Sequence, residues 1–314
     1  MPIETPHAKL LDRQHSGDAV RTHFAKHLSV LEDMSNYGSN LVIRAYSSSS
    51  KDMAAAVTCS VLLKQVVAML DATHVLLTSG SSKPAQLTVR AGFEASLYLQ
   101  WILASDSEKK AALYYVADLR EARRWAVRAT IPPSSGDLSS LLPELATSLT
   151  TLSAEQQSGA ATQIADIDRV LAQPSLSPYN DLFDAGRKKR KYDPHWYELA
   201  GVKTIRDIAV QVQRVSEYSM FYSRGSAITH SQSYRDHIRF SGATLHMLPI
   251  RDVGDVHAVL RSAFLVAFQS FETTIRFYRA AELGAFARKY RDDWRQEFLN
   301  IPTLVMSTST GETI

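Results

Sequence analysis

Within Tyr222-Ser223-Arg224-Gly225-Ser226-Ala227-Ile228-Thr229-His230, an arginine and a histidine stand six positions apart near the end of an apolar helical pattern. Histidine is the side chain whose ordinary pKa suits proton transfer near neutral pH, and a positioned general acid or base contributes about 10²–10⁴ in rate. Arginine binds phosphate oxygens bidentately and stabilises developing negative charge. Together they suit metal-independent RNA cleavage, with His230 taking the 2′-hydroxyl proton and Arg224 holding the phosphate. The same two residues also suit a polar lock inside a helical bundle, and spacing alone does not separate the readings.

A second pair is Arg90 and Glu94, four residues apart and so on one helix face. Their helix is apolar almost all round, from Leu87 to Leu99. Charges on such a helix need partners, because an unpaired buried charge costs several kcal/mol. Arginine before glutamate is also the weaker order for a local pair. A third polar group from another helix is therefore expected, in a structural salt bridge or a functional pocket.

Two further groups are weaker. His23 and His27 have a zinc-compatible spacing but no accompanying carboxylate motif, so surface histidines are expected and no metal. Arg187-Lys188-Lys189-Arg190-Lys191 is a dense basic run that could touch nucleic acid or an acidic partner, but it lacks interleaved aromatics and is expected in a solvated linker. Glycine-rich phosphate loops and a Gly-x-Ser-x-Gly nucleophile motif are absent, and no cofactor is expected.

Helices must position these groups, since 3.6-residue periodicity dominates and no segment shows sustained strand alternation. Expected helices cover 9–33, 52–78, 84–104, a segment after Ser105 (capping box with Glu108), 163–173, 204–222, 254–283 and a shorter stretch to Leu299. Loops are expected at Tyr46–Ser50, from Ile131 to Gly136, and from the Arg/His stretch through Pro249. The fold class is all-α, a bundle of long antiparallel helices with an irregular central insertion. Its expected segments are 1–50 (N-terminal helix and loop), 51–130 and 194–300 (two halves of the core), 131–193 (insertion or cap) and 301–314 (disordered tail).

Composition fits that class. The 314 residues are 45% hydrophobic and 21% charged, ordinary for a globular protein large enough to bury one sizeable core. A net charge of +3 is too small to mark a dedicated nucleic-acid binder. The lone Cys59 excludes an internal disulfide and reads as a buried small hydrophobe. Lys64, Gln65 and Asp71 interrupt the apolar run 53–77, and Arg261 and Gln269 interrupt 256–271, so no membrane span and a cytoplasmic location are expected.

Several segments, taken in order, carry a family resemblance: Val89-Arg90-Ala91-Gly92-Phe93-Glu94 into Leu97-Tyr98-Leu99-Gln100-Trp101; Asp106-Ser107-Glu108-Lys109-Lys110-Ala111 with Tyr114-Tyr115; His195-Trp196-Tyr197 with Gly201; and Tyr222-Ser223 followed by His230. Over roughly residues 55–285 the chain resembles an uncharacterised bacterial family catalogued as domain of unknown function 5677. Such proteins look like relatives of the HEPN (higher eukaryotes and prokaryotes nucleotide-binding) helical domains. Many of those are RNases of toxin–antitoxin and phage-defence systems, marked by Arg, four to six residues, then His. The resemblance implies Arg224 and His230 as catalytic residues, with Arg90, Glu94, Tyr98, Tyr222 and Ser223 supporting them. It also implies RNA as substrate and a homodimer that brings two Arg/His sets together. The alternative is a non-catalytic scaffold for a protein or nucleotide partner. Gly225 stands where a polar residue is usual, and is expected to end the helix early.

Overall fold

The computed structural model describes residues 11–130, 154–230, 237–251 and 253–304, and these are overwhelmingly helical, as the periodicity predicts. Contacts group the chain into two units, one of Met1–Ser105 with Ile205–Ile314 and one of Asp106–Thr204. That division places the helix after Ser105 with the central segment rather than with residues 51–105.

In the first unit, α1 (Arg13–Ser47), α2 (Met53–Thr78), α3 (Ser82–Ala104) and α10 (Val256–Tyr278) pack on one another. Asp12 caps α1 by accepting a hydrogen bond from the His15 amide at 2.8 Å. This helix runs fourteen residues past the expected end at 33, because Met34, Gly38, Leu41 and Ala45 continue its buried stripe. Gly38 permits the close crossing, since a β-carbon there would fall 2.7 Å from the Phe271 ring. Phe24, Leu31, Phe93, Trp101, Phe264 and Trp294 fill the core, at 2% exposure or less.

Helix α2 includes a π-helical turn, Ala56–Leu63, and buries Cys59, whose thiol is pushed up to about 11 by burial. It is long and apolar enough to cross a membrane by length and composition, despite Lys64 and Asp71. Over half of it is nonetheless packed against the neighbouring helices.

Two departures lie near the Arg/His stretch. The single helix expected over 204–222 is broken into α8 (Ile205–Gln211) and α9 (215–229). Gln213 takes a left-handed conformation, φ 60°, and the Arg214 amide closes back onto the Ala209 carbonyl at 2.7 Å, a helix-ending turn. The expected polar loop after His230 contains a hairpin, β1 (Ile238–Ser241) and β2 (Thr244–Met247), joined through Gly242 at φ 60°. A Gly-x turn between alternating apolar residues, Ile238 and Phe240 then Leu245 and Met247, is the local reason. The chain continues through α10 and α11 (283–299).

The second unit contains α4 (Ser107–Thr130), α5 (Ala154–Leu171), α6 (Ser177–Arg190) and α7 (Trp196–Leu199). Helix α4 starts one residue later than the expected capping box, with Asp106 at φ 47° before it. Arg120 organises this unit, donating two hydrogen bonds to Asp193 and others to Asp184 and Asn180. The basic run Arg187–Lys191, expected in a linker, forms the last turn and cap of α6, where cations complement the helix dipole. Arg190 holds Glu198 at 2.9 Å. The expected break at Ile131–Gly136 and the last ten residues of the tail lie outside the described residues.

Candidate functional site

Helix α9 lies antiparallel along α3, and the contacts step in order. Arg214 donates to Ser96 at 2.8 Å, Phe221 meets the Phe93 ring edge-on at 5.7 Å, and Tyr222 and Gly225 meet Arg90. The Arg90 guanidinium sits over the Tyr222 ring, 4.4 Å from its centroid, a cation–π contact. Tyr222 stacks in turn on Tyr218 at 4.8 Å. Burial, with Tyr222 and Glu94 nearby, raises the Tyr218 phenol above its ordinary value and keeps it neutral.

Arg90 also approaches Glu94 at 4.0 Å, and Tyr98 donates to the other Glu94 oxygen at 3.0 Å. Arg90 and Glu94 are half-buried, at 24% and 29% exposure. The third polar group expected from another helix is thus split: the hydroxyl comes from Tyr98 on the same helix, and the other helix contributes the face of Tyr222.

Gly225 is part of this contact. A β-carbon there would lie 2.7 Å from both Cβ and Cδ of Arg90, so only glycine lets α9 approach. It does not end the helix: α9 continues through it to Thr229, and the Thr229 hydroxyl donates to the Gly225 carbonyl at 2.9 Å. Intrahelical bonding and the packed Arg90 stem outweigh glycine's conformational freedom.

The structure therefore brings Arg90, Glu94, Tyr98 and Tyr222 together. Ser223 is exposed beside them, and the Arg224 side chain lies outside the described residues. His230 caps α9 and is exposed. It stands five residues beyond Gly225, roughly 8 Å further along the axis at 1.5 Å per residue. Because α9 runs antiparallel to α3, that direction leads away from Glu94.

Next to this contact lies a buried network that the sequence reading missed. Arg214, 4% exposed, pairs with Glu217 and lies 4.8 Å from the Phe93 ring centroid. Glu217 also accepts from Gln269 at 2.7 Å, and Ser270 donates to Ser96 at 2.8 Å. Burial pulls the Arg214 guanidinium down from its ordinary value, and the Glu217 carboxylate opposes that shift. The signal was the Arg-x-x-Glu spacing, but only the turn at Gln213 swings Arg214 into the core. Between Arg214 and Gly225, residues Tyr218–Tyr222 form a π-helical turn, a distortion frequent at functional sites.

His27, expected at the surface, is buried on α1 with Nε2 3.6 Å from Glu297, while His23 is exposed. Among the described residues no group of three or more potential ligands could hold a metal ion.

Comparison with known families places these elements. The model described as "Family of unknown function (DUF5677)" matches residues 56–243, which span α2 through β1, and the chain belongs to this family. No curated protein and no solved structure shows a significant match.

Proposed function

We propose that this protein is a metal-independent endoribonuclease with His230 as general base and Arg224 as phosphate ligand. The observation that carries the reading is that α9 runs unbroken through Gly225, so both residues ride on one helix whose end exposes His230 to solvent. A polymeric substrate needs that access.

In this reading the 2′-hydroxyl gives its proton to the His230 imidazole, and its oxygen attacks the adjacent phosphorus. The 5′-oxygen leaves and is protonated, either by solvent or by an imidazolium from a second copy. The products are a 2′,3′-cyclic phosphate and a 5′-hydroxyl. Arg224 offsets charge on the non-bridging oxygens. Arg90, Glu94, Tyr98 and Tyr222 act as positioning residues: they fix α9 on α3 and do not reach the reacting atoms. A cytoplasmic role in bacterial defence or a toxin–antitoxin pair agrees with such an activity.

A second reading, a non-catalytic scaffold, is favoured by the mutual contacts of the Arg90–Glu94–Tyr98–Tyr222 cluster. Incubation of the full chain with single-stranded RNA in the presence of EDTA separates the two. The enzyme reading expects fragments ending in 2′,3′-cyclic phosphate from the native protein and none from His230→Ala or Arg224→Ala. Intact RNA with all three proteins, or equal cleavage by all three, overturns it.

A further inference from the structure

Beside the Arg90 contact, between α9 and α10, lies a cavity of about 490 Å³, inside the range of roughly 300–1,000 Å³ usual for small-molecule sites. Val89 of α3, Met220 and Phe221 of the π turn, and Leu265 of α10 give it apolar walls. Met220 is 55% exposed, an unbranched and adaptable apolar side chain with little protein covering it.

Among the described residues lining this cavity, Arg261 is the fixed charge, and the carboxylate of Asp255 is held outside the lining by Gln86 at 3.1 Å. His257 and Arg261 stand four residues apart on the same face of α10, and both line it. The His257 ring is anchored by Nδ1 at 3.0 Å from the Gly254 carbonyl oxygen. Arg261 is exposed, and among the described residues no carboxylate lies within ion-pair distance of it. Other arginines of the same unit hold a glutamate, among them Arg214 with Glu217, Arg276 with Glu272 and Arg279 with Glu282. A guanidinium with no carboxylate partner among the described residues, beside an apolar hollow, has the chemistry to receive an anionic head whose apolar body fills the hollow. A neutral guest would leave Arg261 unused, and a cationic one would meet like charge.

We propose that this cavity binds a small organic anion with an apolar body, of the medium-chain or aromatic carboxylate class, its head on Arg261 and its body against Met220, Phe221 and Leu265. The site is independent of the ribonuclease reading, since it uses neither Arg224 nor His230.

Titration calorimetry of the full chain with octanoate, and with octylamine as the charge-reversed counterpart, tests this. Octanoate is expected to bind saturably with one site per chain, and octylamine at least tenfold more weakly. Arg261→Gln, an exposed change that leaves folding intact, is expected to weaken octanoate by about tenfold, the loss of one charge-assisted contact. Ala258→Trp, which would fill the cavity from α10, is expected to abolish binding, and circular dichroism checks that this variant folds. Absence of saturable octanoate binding, equal affinity for the two probes, or octanoate affinity unchanged in Arg261→Gln each overturns the proposal.

Discussion

Gly225 and Arg90 are in such close contact that a β-carbon on residue 225 would fall 2.7 Å from the arginine Cβ. This contact fixes where α9 lies on α3, and hence where the chain presents Arg224 and His230. Gly225→Val should therefore act as an overpacking change, destabilising the protein by about 1–3 kcal/mol. Urea denaturation checks this; a variant as stable as the native protein would show that the close approach is not required.

The buried Arg214–Glu217 pair gives a second prediction. Removing one partner leaves a desolvated charge, so Arg214→Met or Glu217→Gln alone should cost about 3–5 kcal/mol. Replacing both should cost less than the sum of the single changes, and a double-mutant cycle measures the difference. Additive losses would mean that the two side chains do not interact.

Asp193 sets a pH dependence in the Asp106–Thr204 unit. Burial alone would raise its carboxyl, but two hydrogen bonds from Arg120, with Arg124 alongside, hold it below the usual carboxylate range. A depressed folded-state value means the native state binds this proton less readily than the unfolded chain does. The stabilisation is then complete above the unfolded value near 4 and lost as pH falls through the folded value. Asp193→Asn should flatten the fall in stability below about pH 4 and lower stability at neutral pH. An acid limb identical in the two proteins would contradict the assignment.

Much of the fold is legible in the sequence. The apolar stripes of α2, α3 and α10 appear near their true positions, because buried helices impose their period strongly. The local pair Arg90–Glu94 is readable for the same reason. The break at Gln213 is not readable, because a glutamine in a left-handed turn leaves no composition signal; its cause is the distant partner Ser96 that Arg214 reaches. The β1–β2 hairpin left a trace in its Gly242-Ala243 turn and alternating flanks, but each strand is only four residues long. Gly225 was misjudged from sequence because its reason is a neighbour 135 residues away, not local propensity.

Exposure of His230 separates chemistry from structure. An exposed side chain contributes little to folding, so His230→Ala should change stability by no more than about 0.5 kcal/mol. Thermal melting checks this. A loss of several degrees would move His230 into a structural network and favour the scaffold reading.

The central claim is tested most directly by the single-turnover rate of RNA cleavage in EDTA, measured for the native protein and for His230→Ala at matched melting temperature. A fall of about 10²–10⁴ in rate with folding unchanged is the predicted result. Equal rates for the two proteins, or no cleavage by the native protein, would contradict it.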